Sequence, residues 1–163
     1  MSAPTTPTFS LVDHYGRPVT EHSYRGRWQL VFFGFTHCKG VCPRALGKLS
    51  EVLDNLDDLV EKVAPLYITV DPDRDTPQVM KNFLRDYPHF TGLTGSAETI
   101  EEAKAAFRVF AKRKVDPDDP DGYSMPHTAI TYLVSPEGDY RDHFADVLPP
   151  EELTVRLRSH LSR

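Results

Sequence analysis

Two cysteines among 163 residues are too few for a disulfide-held scaffold. A domain of this length buries about 70% of its unfolded surface, enough for a full core without staples. Basic residues are outnumbered, 19 Lys and Arg against 24 Asp and Glu for a net charge of −5. That balance speaks against nucleic acid and against an anionic membrane surface as partners. No run approaches the ~18 consecutive apolar residues of a transmembrane helix. The opening, Met1-Ser2-Ala3-Pro4-Thr5-Thr6-Pro7-Thr8, has neither the charged nor the apolar part of a signal peptide. Internal repeats are missing too, as is low complexity beyond that Pro/Thr leader. With 39% hydrophobic and 26% charged residues, the composition predicts one soluble domain over residues 9–163 behind a flexible leader of residues 1–8.

The elements follow from periodicity and punctuation. Phe9 to Val12 and Pro18-Val19 flank a turn at Gly16, which predicts a short N-terminal hairpin. Trp28 to Phe35 is almost continuously apolar, the pattern of a strand covered on both faces, and Val63 to Val70 repeats it. Pro43 suits a first helical turn, and Leu46, Leu49, Leu53 and Leu56 follow at helical spacing. Thr76-Pro77 opens a second helix whose stripe runs to Tyr87; Ser96 caps a third, predicted through Phe110. Strands are predicted again at Thr128 to Val134 and Tyr140 to Phe144, and Pro149-Pro150 opens a last helix. The order hairpin, β, α, β, α, α, β, β, α predicts a thioredoxin-like α/β sandwich. A long acidic loop, Lys112 to Met125, is inserted in it.

Cys38 and Cys42 lie where the first buried strand gives way to the first helix. Helix N-terminal N–H groups favour an anion, and Lys39 adds a cation, so thiolates here form below the free thiol value of about 8.5. The spacing leaves two products open. Cβ atoms four apart on a helix stand ~5–6 Å from each other, whereas a relaxed disulfide needs ~3.5–4.5 Å. A metal bridging two sulfurs accepts the wider gap, so the spacing leans towards metal. A structural zinc site of ribbon or finger type is not expected, because no second Cys or His pair at suitable spacing completes four ligands.

Several blocks then occur in one order. Gly34-Phe35-Thr36-His37-Cys38-x-x-x-Cys42-Pro43 is followed by Val70-Asp71-Pro72-Asp73-Arg74-Asp75-Thr76-Pro77 and by Gly92-Leu93-Thr94-Gly95. His127-Thr128 then leads into Tyr132-Leu133-Val134-Ser135-Pro136-Glu137-Gly138. From Phe9 onward the chain resembles the Sco/SenC family, membrane-anchored copper proteins that help assemble the copper centre of cytochrome c oxidase. The resemblance implies copper as cofactor, with Cys38, Cys42 and His127 as its ligands. Two thiolates and an imidazole make a soft site suited to Cu(I). Two positions depart from the family pattern: Lys39 stands where proline usually follows the first cysteine, and Pro126 where aspartate usually precedes the histidine. Asp71, at the end of the second buried strand, is expected near the metal loop.

The expected function is therefore a copper metallochaperone. The alternative is a thiol–disulfide oxidoreductase that uses Cys38 and Cys42 as its redox pair and needs no His127. Expected partners are the copper-centre subunit of cytochrome c oxidase and, more loosely, other copper chaperones or thiol reductases. No nucleic acid and no small-molecule substrate is expected. The resemblance implies the periplasmic face of the inner membrane, through an N-terminal anchoring helix outside these residues; a native start at Met1 would instead imply the cytoplasm.

Overall fold

The computed structural model describes residues 7–36, 41–109, 114–115, 123–124, 130–145 and 148–162, with the side chains of 41–43, 114, 123 and 124 left out. The expected leader therefore lies mostly outside the described residues, as do Phe110 and most of the acidic loop.

The N-terminal hairpin forms as the turn residues predict. Strand β1 (Ser10–Asp13) pairs antiparallel with β2 (Pro18–Thr20), and Gly16 takes φ +83° in the turn between them. Strand β3 (Trp28–Gly34) is buried at all seven positions, and so is β4 (Val63–Thr69). Their side chains alternate between two cores. Leu30, Phe32 and Tyr67 face one; Val31, Phe33 and Ile68 face the other.

Helix α1 (Val41–Asp54) packs Leu46, Leu49 and Leu53 into the first core. Each such leucine contributes about 1.5–3 kcal/mol by leaving water. Helix α2 (Pro77–Phe83) is capped by Thr76, whose hydroxyl accepts the Val79 N–H at 3.3 Å. It tightens into a 3-10 turn over Leu84–Asp86 and so ends short of the expected stripe. Strand β5 (Thr91–Thr94) was not expected from the sequence. It exists because β4 on one side and β1 on the other supply its ladder. Helix α3 (Ala97–Phe107) ends before Phe110, at Arg108, whose left-handed backbone (φ 56°) stops it.

Within the acidic loop, β6 (Lys114–Val115) and β7 (Tyr123–Ser124) pair as a minimal antiparallel ladder. Strand β8 (Ile130–Val134) runs antiparallel to β3, and β9 (Tyr140–Ala145) closes that edge. Helix α4 (Pro150–Leu161) lays Leu153, Leu157 and Leu161 on the first core beside α1.

The main sheet has seven strands in the order β2-β1-β5-β4-β3-β8-β9. Helices α1, α2 and α4 cover one face; α3 and the hairpin residues Phe9, Leu11 and Val19 cover the other. This is the expected α/β sandwich. Among the described residues, no helix is long and apolar enough to cross a membrane.

Candidate metal centre

Parallel strands β3 and β4 end side by side, and β8 starts there, Thr131 pairing with Phe32. Their last shared rung is the Val70 N–H donating to the Gly34 carbonyl at 2.8 Å. Two residues beyond Gly34 the chain enters the cysteine segment. Cys38 lies outside the described residues, and Cys42 is the second residue of α1, known here by its backbone alone. His127 also lies outside them, three positions ahead of β8. Among the described residues, no group of three or more His, Cys, Asp or Glu could hold a metal ion.

What the structure does describe is the collar on which this segment is mounted. Asp75 is fully buried. Its carboxylate accepts the Thr36 backbone N–H at 3.0 Å, the Thr36 hydroxyl, and the Thr69 hydroxyl at 2.6 Å. The Asp75 carbonyl accepts the Thr94 hydroxyl at 2.6 Å. One residue thus ties together the exits of β3, β4 and β5. Burial pushes the Asp75 carboxyl above the usual carboxylate range, against the lowering effect of the Thr36 and Thr69 hydrogen bonds, and neighbouring Asp71 adds to the rise.

Asp71 is likewise buried, but Arg74 Nε donates to its carboxylate. Its backbone N–H donates to the Thr69 hydroxyl at 2.9 Å, and the Arg74 guanidinium stands 5.8 Å above the Phe35 ring. Asp71 thus braces the strand end that neighbours the cysteine segment. Asp75 and Thr69 were not singled out from the sequence; the one available signal was a second aspartate just ahead of the Thr76 cap.

Helix α1 supplies the electrostatics expected of its start. It runs 14 residues with no acidic side chain in its first turn, so nothing there opposes a thiolate at Cys42. Three other histidines are engaged elsewhere. His14 Nδ1 accepts the Gly92 N–H at 2.9 Å, and burial holds its pKa below the ordinary value. His89 meets Asp54 at 2.7 Å, and His160 meets Asp142 at 3.0 Å.

The chain has extensive likeness to known proteins. The human mitochondrial protein SCO1 homolog is 36% identical over 156 residues, which are 94% of this chain and 52% of that protein. The chain thus spans about half the length of that relative. The crystal structure of Arabidopsis thaliana ScoI with copper bound superposes with a TM-score of 0.91 at 32% identity, covering 97% of this chain and 98% of that one. Bradyrhizobium japonicum ScoI with copper bound gives 0.84 at 40% identity, covering 93% and 96%. A family model described as SCO1/SenC matches residues 1–162. The buried parallel strands, the place of Cys42 at the start of α1 and this match agree: the chain belongs to the SCO1/SenC family.

Proposed function

We propose that this protein is a copper metallochaperone that holds one copper ion through Cys38, Cys42 and His127. It passes that ion on during assembly of the copper centre of cytochrome c oxidase. The observation that carries the reading is a coincidence of chain and register. The cysteine segment leaves the C-terminal end of β3, and His127 precedes the strand that starts beside that end. Membership of a family with copper-bound members supports the choice of metal.

The donor chemistry fits. Two thiolates and a neutral imidazole are soft ligands that favour Cu(I), and a place at a helix N-terminus favours the thiolate form that ligation needs. Transfer is ligand exchange: thiolates of the receiving copper-centre subunit replace those of this chain one at a time, and copper keeps its oxidation state. Residues 9–163 are the working domain, on the periplasmic face of the inner membrane behind an anchoring helix.

The test is anaerobic Cu(I) titration of the reduced protein against a competing chelator, wild type beside His127→Ala. One tightly bound equivalent, weakened at least about tenfold without the imidazole, is expected for a three-ligand site. Affinity indifferent to His127 would instead assign the pair Cys38 and Cys42 to thiol–disulfide exchange.

A further inference from the structure

Helix α3 alone cannot cover one face of a seven-stranded sheet. It lies over the hairpin side, and its end at Arg108 leaves the outer part of that face, on β8 and β9, as a cleft of about 460 Å³. The volume lies within the ~300–1,000 Å³ range of small-molecule sites. Its walls are flat and largely aromatic. Phe107, Tyr132, Tyr140 and His143 form a continuous series of rings with successive centroids 5.4, 6.0 and 6.3 Å apart, and Ile130 adds an aliphatic flank.

The polar groups converge and carry one sign. Arg108, Tyr132, Tyr140 and His143 all line the cleft, and the Arg108 charge is felt at the Tyr140 hydroxyl. None has a hydrogen-bonding or ion-pairing side-chain partner among the described residues. Tyr132 is only 5% exposed, and its hydroxyl oxygen, which has no partner among the described residues, is the part of it that stays open to solvent. No carboxylate is among the described lining residues. The nearest acidic residue of β9, Asp142, is engaged by Arg156 and His160. In a protein of net charge −5, a ring-walled cleft whose described lining holds one arginine and no acid favours a planar anion.

We propose that this cleft is a binding site for a planar aromatic carboxylate, its ring against Tyr132 and Tyr140 and its carboxylate received by Arg108 and the Tyr132 hydroxyl. The site involves binding without turnover and is independent of the metal reading, since none of its residues belongs to the proposed copper site.

The probe is 2-naphthoate, added to the 15N-labelled protein while amide shifts are followed, with neutral 2-naphthamide as the matched control. Saturable shifts centred on Arg108, Ile130, Tyr132, Tyr140 and His143 are expected, with a Kd of about 1 mM or tighter, the reach of a fragment of this size. The amide should bind at least about tenfold more weakly, having lost the charge-assisted bond. Tyr132→Phe keeps the ring, and Arg108→Asn keeps the left-handed backbone that Asn tolerates; each should weaken naphthoate by about fivefold or more. Equal binding of acid and amide in the wild type, shifts centred elsewhere, or no saturable shift would each overturn the proposal. So would unchanged affinity in both variants with their amide spectra intact.

Discussion

Thr36 gives both its backbone N–H and its hydroxyl to the carboxylate of Asp75, 39 residues further along the chain. A short polar residue two positions before Cys38 is thereby fixed to the loop after β4. The same carboxylate holds Thr69, so the β3 and β4 exits cannot shift independently.

Replacing Asp75 by Asn turns an NH2 group towards donors and should destabilise the fold by about 2–3 kcal/mol. Urea unfolding of the two proteins at one pH measures this, and an unchanged midpoint would contradict it.

The pH dependence of Asp75 has a definite sign. Its folded-state pKa is raised, so the native state binds this proton more readily than the unfolded chain does. Its contribution to stability is therefore fully present below the unfolded value of 3.8 and is lost as pH rises through the folded value. The stability advantage of wild type over Asp75→Asn should shrink progressively in that window, the wild type losing ground as pH rises. Parallel curves would refute the assignment.

Asp142 should behave in the opposite sense. Burial disfavours its charge, but hydrogen bonds from His160 and the His143 N–H, with the charge of Arg156, outweigh it and hold the carboxyl below 3.8. Its contribution is present above the unfolded value and lost as pH falls through the folded one. Asp142→Asn should cost about 0.5–1 kcal/mol near neutrality, where the pairs are partly exposed. The difference should vanish in strong acid, as read by thermal unfolding across pH.

Gly138 takes φ +97° in the turn between β8 and β9, and a Cβ there would run into the Arg25 guanidinium. That side chain can swing aside; the backbone cannot. Gly138→Ala should therefore cost about 1–2 kcal/mol from the left-handed backbone, and Arg25→Ala in the same background should restore little of it. Full recovery would make the clash, not the dihedral, the cause.

The cysteine at the head of α1 offers a kinetic check. Alkylation of the reduced protein by iodoacetamide should follow an apparent thiol pKa below the free value of about 8.5. A profile at or above that value would remove the helix-terminus argument.

The parts of the fold legible in the sequence are those whose signal is local. Trp28 to Gly34 reads as a doubly covered strand because it is apolar except for Gln29 and Gly34, and Pro43 with the Leu46, Leu49 and Leu53 stripe reads as α1. Strand β5 was not legible: Thr91-Gly92-Leu93-Thr94 is short and contains glycine, and it is a strand only because two neighbours pair with it. The tightening at Leu84 and the left-handed stop at Arg108 were equally unmarked. Cys38, Cys42 and His127 stood out by residue type, placement and resemblance. The Asp75 collar did not, because its partners lie 39, 6 and 19 residues away and nothing local signals their meeting.

The pairing of β3 with β8 has a consequence for how the chain is made. Phe32 pairs with Thr131, so a strand buried at every position waits for a neighbour synthesised nearly a hundred residues later. Until β8 leaves the ribosome, β3 is an apolar edge with an open row of backbone donors and acceptors, the kind of surface that recruits other chains. A nascent chain stopped just short of Ile130 should therefore aggregate or be held by a chaperone, and the addition of β8 should release it.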